Sequence, residues 1–80
     1  VKIELLCFAA MKDFFPAKES IDSETIRTIA DLRSELESKN PLSAPLLRIS
    51  RFAVDQVIVG EDHSLADGQS VAVLPPSSGG

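Results

Sequence analysis

One stretch of this chain repeats its apolar residues at helical spacing, and that narrows the folds open to it. Ile29, Leu32 and Leu36 fall on a single stripe, preceded by Thr28 with Asp31 three residues later. That pair is an acidic variant of the capping box, in which hydroxyl and carboxylate each accept from a backbone N–H that the first helical turn leaves without a partner. Asp31 suits the positive end of the helix dipole, and Glu35 and Lys39 are spaced to pair across one turn. Asn40-Pro41 ends the helix, because proline can neither donate to the ladder nor fit inside it. The other apolar residues alternate or come in short runs, so the helical stripe must be buried against a sheet.

The alternating segments supply that sheet. Lys2 to Ala9 reads as a strand with Ile3, Leu5 and Cys7 on one face. Its other face is polar at Lys2 and Glu4 but apolar at Leu6 and Phe8. Ala10 to Phe15 is a short connection with room for one helical turn, closed by Pro16, with Phe14 and Phe15 packing at the edge of the core. Glu19 to Ile26 alternates weakly, as an exposed edge strand pairing back on the first would. The segment 41–51 crosses over, interrupted by Pro45, with Leu46, Leu47 and Ile49 expected to plug the end of the core. Phe52 to Val59 is rich in β-branched residues and broken at Asp55-Gln56, either a bend or a tight hairpin. Gly60 ends it, a loop with an Asp67-Gly68 turn comes next, and Val71 to Leu74 is the last strand. The fold class is therefore α+β, a β-grasp with one main helix packed across a mixed sheet. In that arrangement the first and last strands lie side by side and parallel at its centre. Val71 and Val73 then face the helix, while Ala72 and Leu74 share the open face with Leu6 and Phe8.

Residues 1–74 make one small domain, continued by an extended tail over 75–80. Pro75 and Pro76 stop the strand and stiffen the exit. Ser77, Ser78, Gly79 and Gly80 carry no charge and little bulk, which suits either a frayed end or a tip that another protein's narrow channel admits. Twelve acidic against eight basic residues give a net charge of -4, which argues against nucleic acid as a partner. No apolar run reaches membrane-spanning length and no leader precedes the first strand, so no membrane partner and a cytoplasmic location are expected. Cys7, the one cysteine, sits in an apolar run and reads as a buried inert thiol. His63 is the one histidine and reads as a solvated loop residue, so a His/Cys metal site or a catalytic triad lacks material.

The segments Cys7-Phe8-Ala9-Ala10-Met11-Lys12-Asp13, Ala53-Val54-Asp55-Gln56, Asp62-His63, Leu65-Ala66-Asp67-Gly68 and above all Pro75-Pro76-Ser77-Ser78-Gly79-Gly80 carry a resemblance. Through them the chain resembles the small, ubiquitin-like sulfur-carrier subunit of molybdopterin synthase nearly end to end. The resemblance implies that the Gly80 carboxylate is adenylated by an E1-like ATP-dependent enzyme, converted to a thiocarboxylate and inserted into the large subunit. There it donates sulfur to a pterin precursor. It implies a carrier without an active site of its own, with no cofactor bound by this chain and ATP used by the activating partner. The family's apolar partner contacts fall on Phe8, Ile58 and Leu74, although Phe8 also fits a core position. The family's basic residue after the first strand, usually arginine, is here Lys12, which cannot make arginine's bidentate contact with a carboxylate. Two alternatives share the fold and the Gly-Gly end: a sulfur carrier for thiamine thiazole synthesis, and a ubiquitin-like modifier joined to target lysines. A third is an interaction domain whose tail is idle.

Overall fold

The computed structural model describes residues 1–76. Five strands form one sheet in the order β2-β1-β5-β3-β4, with β1 at Lys2–Cys7, β2 at Lys18–Asp22, β3 at Arg51–Val54, β4 at Val57–Val59 and β5 at Ser70–Leu74. β1 and β5 run parallel through the middle, and every other neighbouring pair is antiparallel. One face carries Ile3, Leu5, Cys7, Ile21, Phe52, Val54, Val71 and Val73, all buried. Helix α1, Ile29–Lys39, covers that face with Ile29, Leu32 and Leu36. This is the expected α+β architecture, a mixed sheet with one main helix across it.

The start of α1 is closed by its own chain. Thr28 Oγ1 accepts from the Asp31 N–H at 3.3 Å, and Asp31 Oδ2 accepts from the N–H groups of Thr28 at 3.0 Å and Arg27 at 2.9 Å. The next free donors reach the loop after β4: the Ile29 N–H donates to the His63 carbonyl at 3.1 Å and the Ala30 N–H to the Glu61 carbonyl at 2.9 Å. In return the Leu65 N–H donates to the Arg27 carbonyl at 2.8 Å. His63 thus serves through its backbone, fastening a loop to the helix.

Four details differ from the sequence reading. β2 begins at Lys18 and ends at Asp22, because Ser23 and Thr25 form a side-chain-bonded turn that swings Ile26 into the core. The segment after α1 forms a 3-10 turn, Pro41–Ser43, and a short helix α2, Ala44–Ile49. Pro45 lies in its first turn, where a missing N–H costs nothing, so it starts the helix instead of interrupting it. That helix buries Leu47 fully but leaves Ile49 63% exposed, since two residues along a helix is more than half a turn around. Finally, no Glu35–Lys39 ion pair forms among the described residues. Instead Glu37 lies 3.7 Å from both Arg33 and Arg48, and Arg33 also pairs with Glu61.

The break at Asp55-Gln56 is a two-residue hairpin turn with both residues at positive φ, 48° and 73°. Those dihedrals match the right-handed twist of the flanking strands. Asp55 also braces β5, its Oδ1 accepting from the Ser70 N–H at 3.0 Å.

Thr28→Ala should lower stability by about 1 kcal/mol in urea unfolding. The N–H groups of Arg27 and Thr28 hold the Asp31 pKa below the ordinary carboxyl value. Its contribution is therefore complete above that ordinary value and is lost as pH falls through the depressed one. Asp31→Asn should flatten the acid limb of the stability curve, and an acid limb identical to wild type would contradict this cap.

Candidate functional site

Because α1 covers one face of the sheet, the other lies open, and strand register decides what it presents. Leu6 stands opposite Ala72, Ala72 opposite Ala53, and Ala53 opposite Ile58, one apolar row across four strands. The two alanines, projecting only a methyl each, form the floor of a groove of about 380 Å³. Leu6 and Phe8 line it on one side, and Asp55, Gln56 and Ser70 line its other end.

Cys7 pairs with Val73, so Phe8 and Leu74 each lie one residue past that pair, at the same end of the face. Phe8 keeps the extended backbone of the strand, φ -122° and ψ 158°, and therefore stays on the open side. Ala9 then turns the chain away with φ 51°, into a 3-10 turn over Ala9–Asp13. Phe8 is 46% exposed and Ile58 50%, while Leu74 is half-buried. The reading of Phe8 as a core residue is thereby excluded. Phe8, Ile58 and Leu74 thus share one face, and large apolar side chains left uncovered together on a small domain mark a surface that another molecule covers. Lys12 is exposed in the turn just after Phe8.

Pro75, half-buried, and Pro76, exposed, leave directly from the end of β5. Ser77, Ser78, Gly79 and Gly80, the remaining tail positions singled out in the sequence, lie outside the described residues. The thiol of Cys7 is buried on the helix side, where burial and then the nearby Glu19 carboxylate push its pKa up to about 11. That thiol stays protonated and shielded, as an inert core residue does. Among the described residues no group of three or more His, Cys, Asp or Glu side chains could hold a metal ion. No helix among them is long and apolar enough to cross a membrane.

A family model described as the ThiS family matches residues 5–80. The chain belongs to the ThiS family. Its relatives include the molybdopterin synthase sulfur carrier subunit of Escherichia coli (strain K12), 30% identical over 80 residues, covering 98% of this chain and 99% of that protein. Among solved structures, molybdopterin converting factor subunit 1 from Pyrococcus furiosus superposes with a TM-score of 0.82 at 25% identity, covering 96% of this chain and 99% of the other. The complex of subunits 1 and 2 of molybdopterin-converting factor from Helicobacter pylori contains a chain of the same fold, with a TM-score of 0.73 at 22% identity and complete coverage of both. For this ThiS family member, fold and family agree with the β-grasp and the resemblance read from its residues.

The sequence reading missed two features of the face. Ala53 and Ala72 become informative only when register places them side by side as a floor. Arg51, opposite Leu74, falls at the end of the crossing segment, although its alternation with Phe52, Ala53 and Val54 already places it on the face of Ala53.

Register yields a sharp test with two adjacent substitutions. Leu74→Glu, on the open face, should leave the fold intact with a stability change of about 1 kcal/mol or less. Val73→Glu, fully buried beneath α1, should abolish folding by forcing an unpaired carboxylate into the core. Thermal unfolding monitored by circular dichroism decides between this register and one shifted by a residue, in which the two outcomes would be exchanged.

Proposed function

We propose that this chain is the sulfur-carrier subunit of a molybdopterin synthase, with the Gly80 carboxylate as its working group. The observation that carries the reading is the continuity of the apolar open face with the root of the tail. β5 runs through the sheet centre, contributes Ala72 and Leu74 to the face, and passes directly into Pro75-Pro76. A partner docked on that face is positioned to receive the tail. The family membership and the homology to a molybdopterin synthase sulfur carrier subunit support the same reading.

The chemistry asks little of the body. A carboxylate is a poor electrophile, so an E1-like adenylating partner joins the Gly80 carboxylate to the α-phosphate of ATP and releases pyrophosphate. Sulfur at the sulfide level, as hydrosulfide, then attacks the acyl carbon, displaces AMP and leaves a thiocarboxylate. The large subunit takes the charged tail, the sulfur passes to the pterin precursor, and hydrolysis restores the carboxylate. Glycine at 79 and 80 lets channel walls close on bare backbone, and serine at 77 and 78 adds little bulk. The chain contributes a docking face, a stiff exit at Pro75-Pro76 and one terminal group. ATP belongs to the partner.

Intact mass after co-expression with the adenylating enzyme tests this. Exchange of one oxygen for sulfur adds roughly 16 Da, the change expected of a thiocarboxylate formed by such activation. Deleting Gly80, or extending the chain beyond it by an uncleavable tag, should abolish the gain without altering the fold. An unchanged mass in the presence of enzyme, ATP and sulfur donor would contradict the carrier reading. Isopeptide-linked products on target lysines, in place of the mass gain, would assign the chain to the modifiers instead.

A further inference from the structure

Among the described residues the open face carries one ion pair. Lys18 lies 3.5 Å from Glu4, and Lys2 stands opposite Asp22 in the β1–β2 register. On the flank where β3 and β4 meet the helices, Arg33 is held by Glu37 and Glu61, and Arg48 lies by Glu37. Arg51 differs from both. It is exposed and stands opposite the apolar Leu74, and, like Lys2, Lys12, Arg27 and Lys39, it has no carboxylate within ion-pair distance among the described residues. It also borders a second groove, lined in part by Arg33, Arg48, Ile58 and Glu61, and it lies beside Leu74 at the root of the tail.

We propose that Arg51 is the charged anchor of the docking face, its guanidinium donating to an Asp or Glu side chain that the tail-receiving partner presents beside its pocket for Leu74. The inference rests on the carrier reading and adds to it the chemistry of the partner's surface. A guanidinium flanked by apolar contacts is shielded from water once a partner closes over it, and there a planar fork binds a carboxylate in bidentate fashion. Lys12 brings only a point charge to the neighbouring turn, and the fork the face lacks at Lys12 is supplied from β3. The chain as a whole is acidic, at -4, which makes an unpaired cation at the tail's root a local mark of complementarity. Arg51 acts on docking alone, since no reacting atom lies on β3.

The adenylating enzyme is the first protein to receive the tail, so ATP-dependent adenylation of the carrier is the assay. Arg51→Ala should raise KM for the carrier about tenfold with kcat unchanged, and Arg51→Glu about a hundredfold, while both keep the wild-type melting temperature. KM for wild type should rise with ionic strength more steeply than for Arg51→Ala, and Arg51→Lys should restore the steeper slope. A KM for Arg51→Ala within about twofold of wild type, or an unaltered salt slope, would overturn this inference and leave the carrier reading intact. Absence of adenylation in the wild-type protein would overturn both.

Discussion

The parallel pairing of β1 with β5 is the constraint on which both faces of the sheet depend. Leu5 opposite Val71 and Cys7 opposite Val73 put the most buried side chains of both strands on one side, where α1 covers them. The same register puts Leu6 opposite Ala72 on the other side and brings Phe8 and Leu74 to the same end. A slip of one residue would exchange the faces, burying Leu6 and Ala72 and exposing two fully buried valines. Core and open face are thus two consequences of one alignment, and the tail leaves from the strand that both share.

Parallel neighbours cannot be joined by a tight turn, so the chain between β1 and β5 must cross over, and most of its length serves to cover and close the core. β2 pairs on the far side of β1, while β3 pairs with β5 and β4 completes the sheet. The loop after β4 returns to α1, where backbone carbonyls of Glu61 and His63 take the helix's first N–H groups. Those bonds leave the helix N-terminus with no free donors for an anion. Arginines and glutamates on the outer flank neutralise one another in the Glu61, Arg33, Glu37 and Arg48 chain. That outer flank is therefore charge-paired, while on the opposite face the exposed Phe8 and Ile58 lie with the cationic Arg51.

Much of this is legible in the residues. The Thr28 and Asp31 cap, the break at Asp55-Gln56 and the alternation of β1 and β5 are local signals, each set by side chains within a few positions of one another. The second helix is not legible, because six residues give too short a period to read and Pro45 looks like an interruption until its place in the first turn is known. Ile49 is misread as a core residue for the same reason, its burial depending on a helical phase that only α2 supplies. In the site, Phe8 and Leu74 come from alternation, and Ile58 from family resemblance. That Arg51 lies beside Leu74, and that Ala53 and Ala72 form a floor, depends on which strands become neighbours, which is long-range information. Glu37 likewise pairs with Arg48 from another helix as well as with Arg33, a choice that α1 alone does not reveal.

The central claim is that one face of this sheet, continuous with the tail, meets the partner while the helix side stays free. Amide hydrogen exchange and backbone NMR shifts, recorded on the labelled carrier with and without the unlabelled adenylating enzyme, test it most directly. Perturbation should concentrate at Leu6, Phe8, Arg51, Ala53, Ile58, Ala72 and Leu74, with α1 and the 61–65 loop unchanged. A footprint centred on α1, or none on β5, would contradict the account.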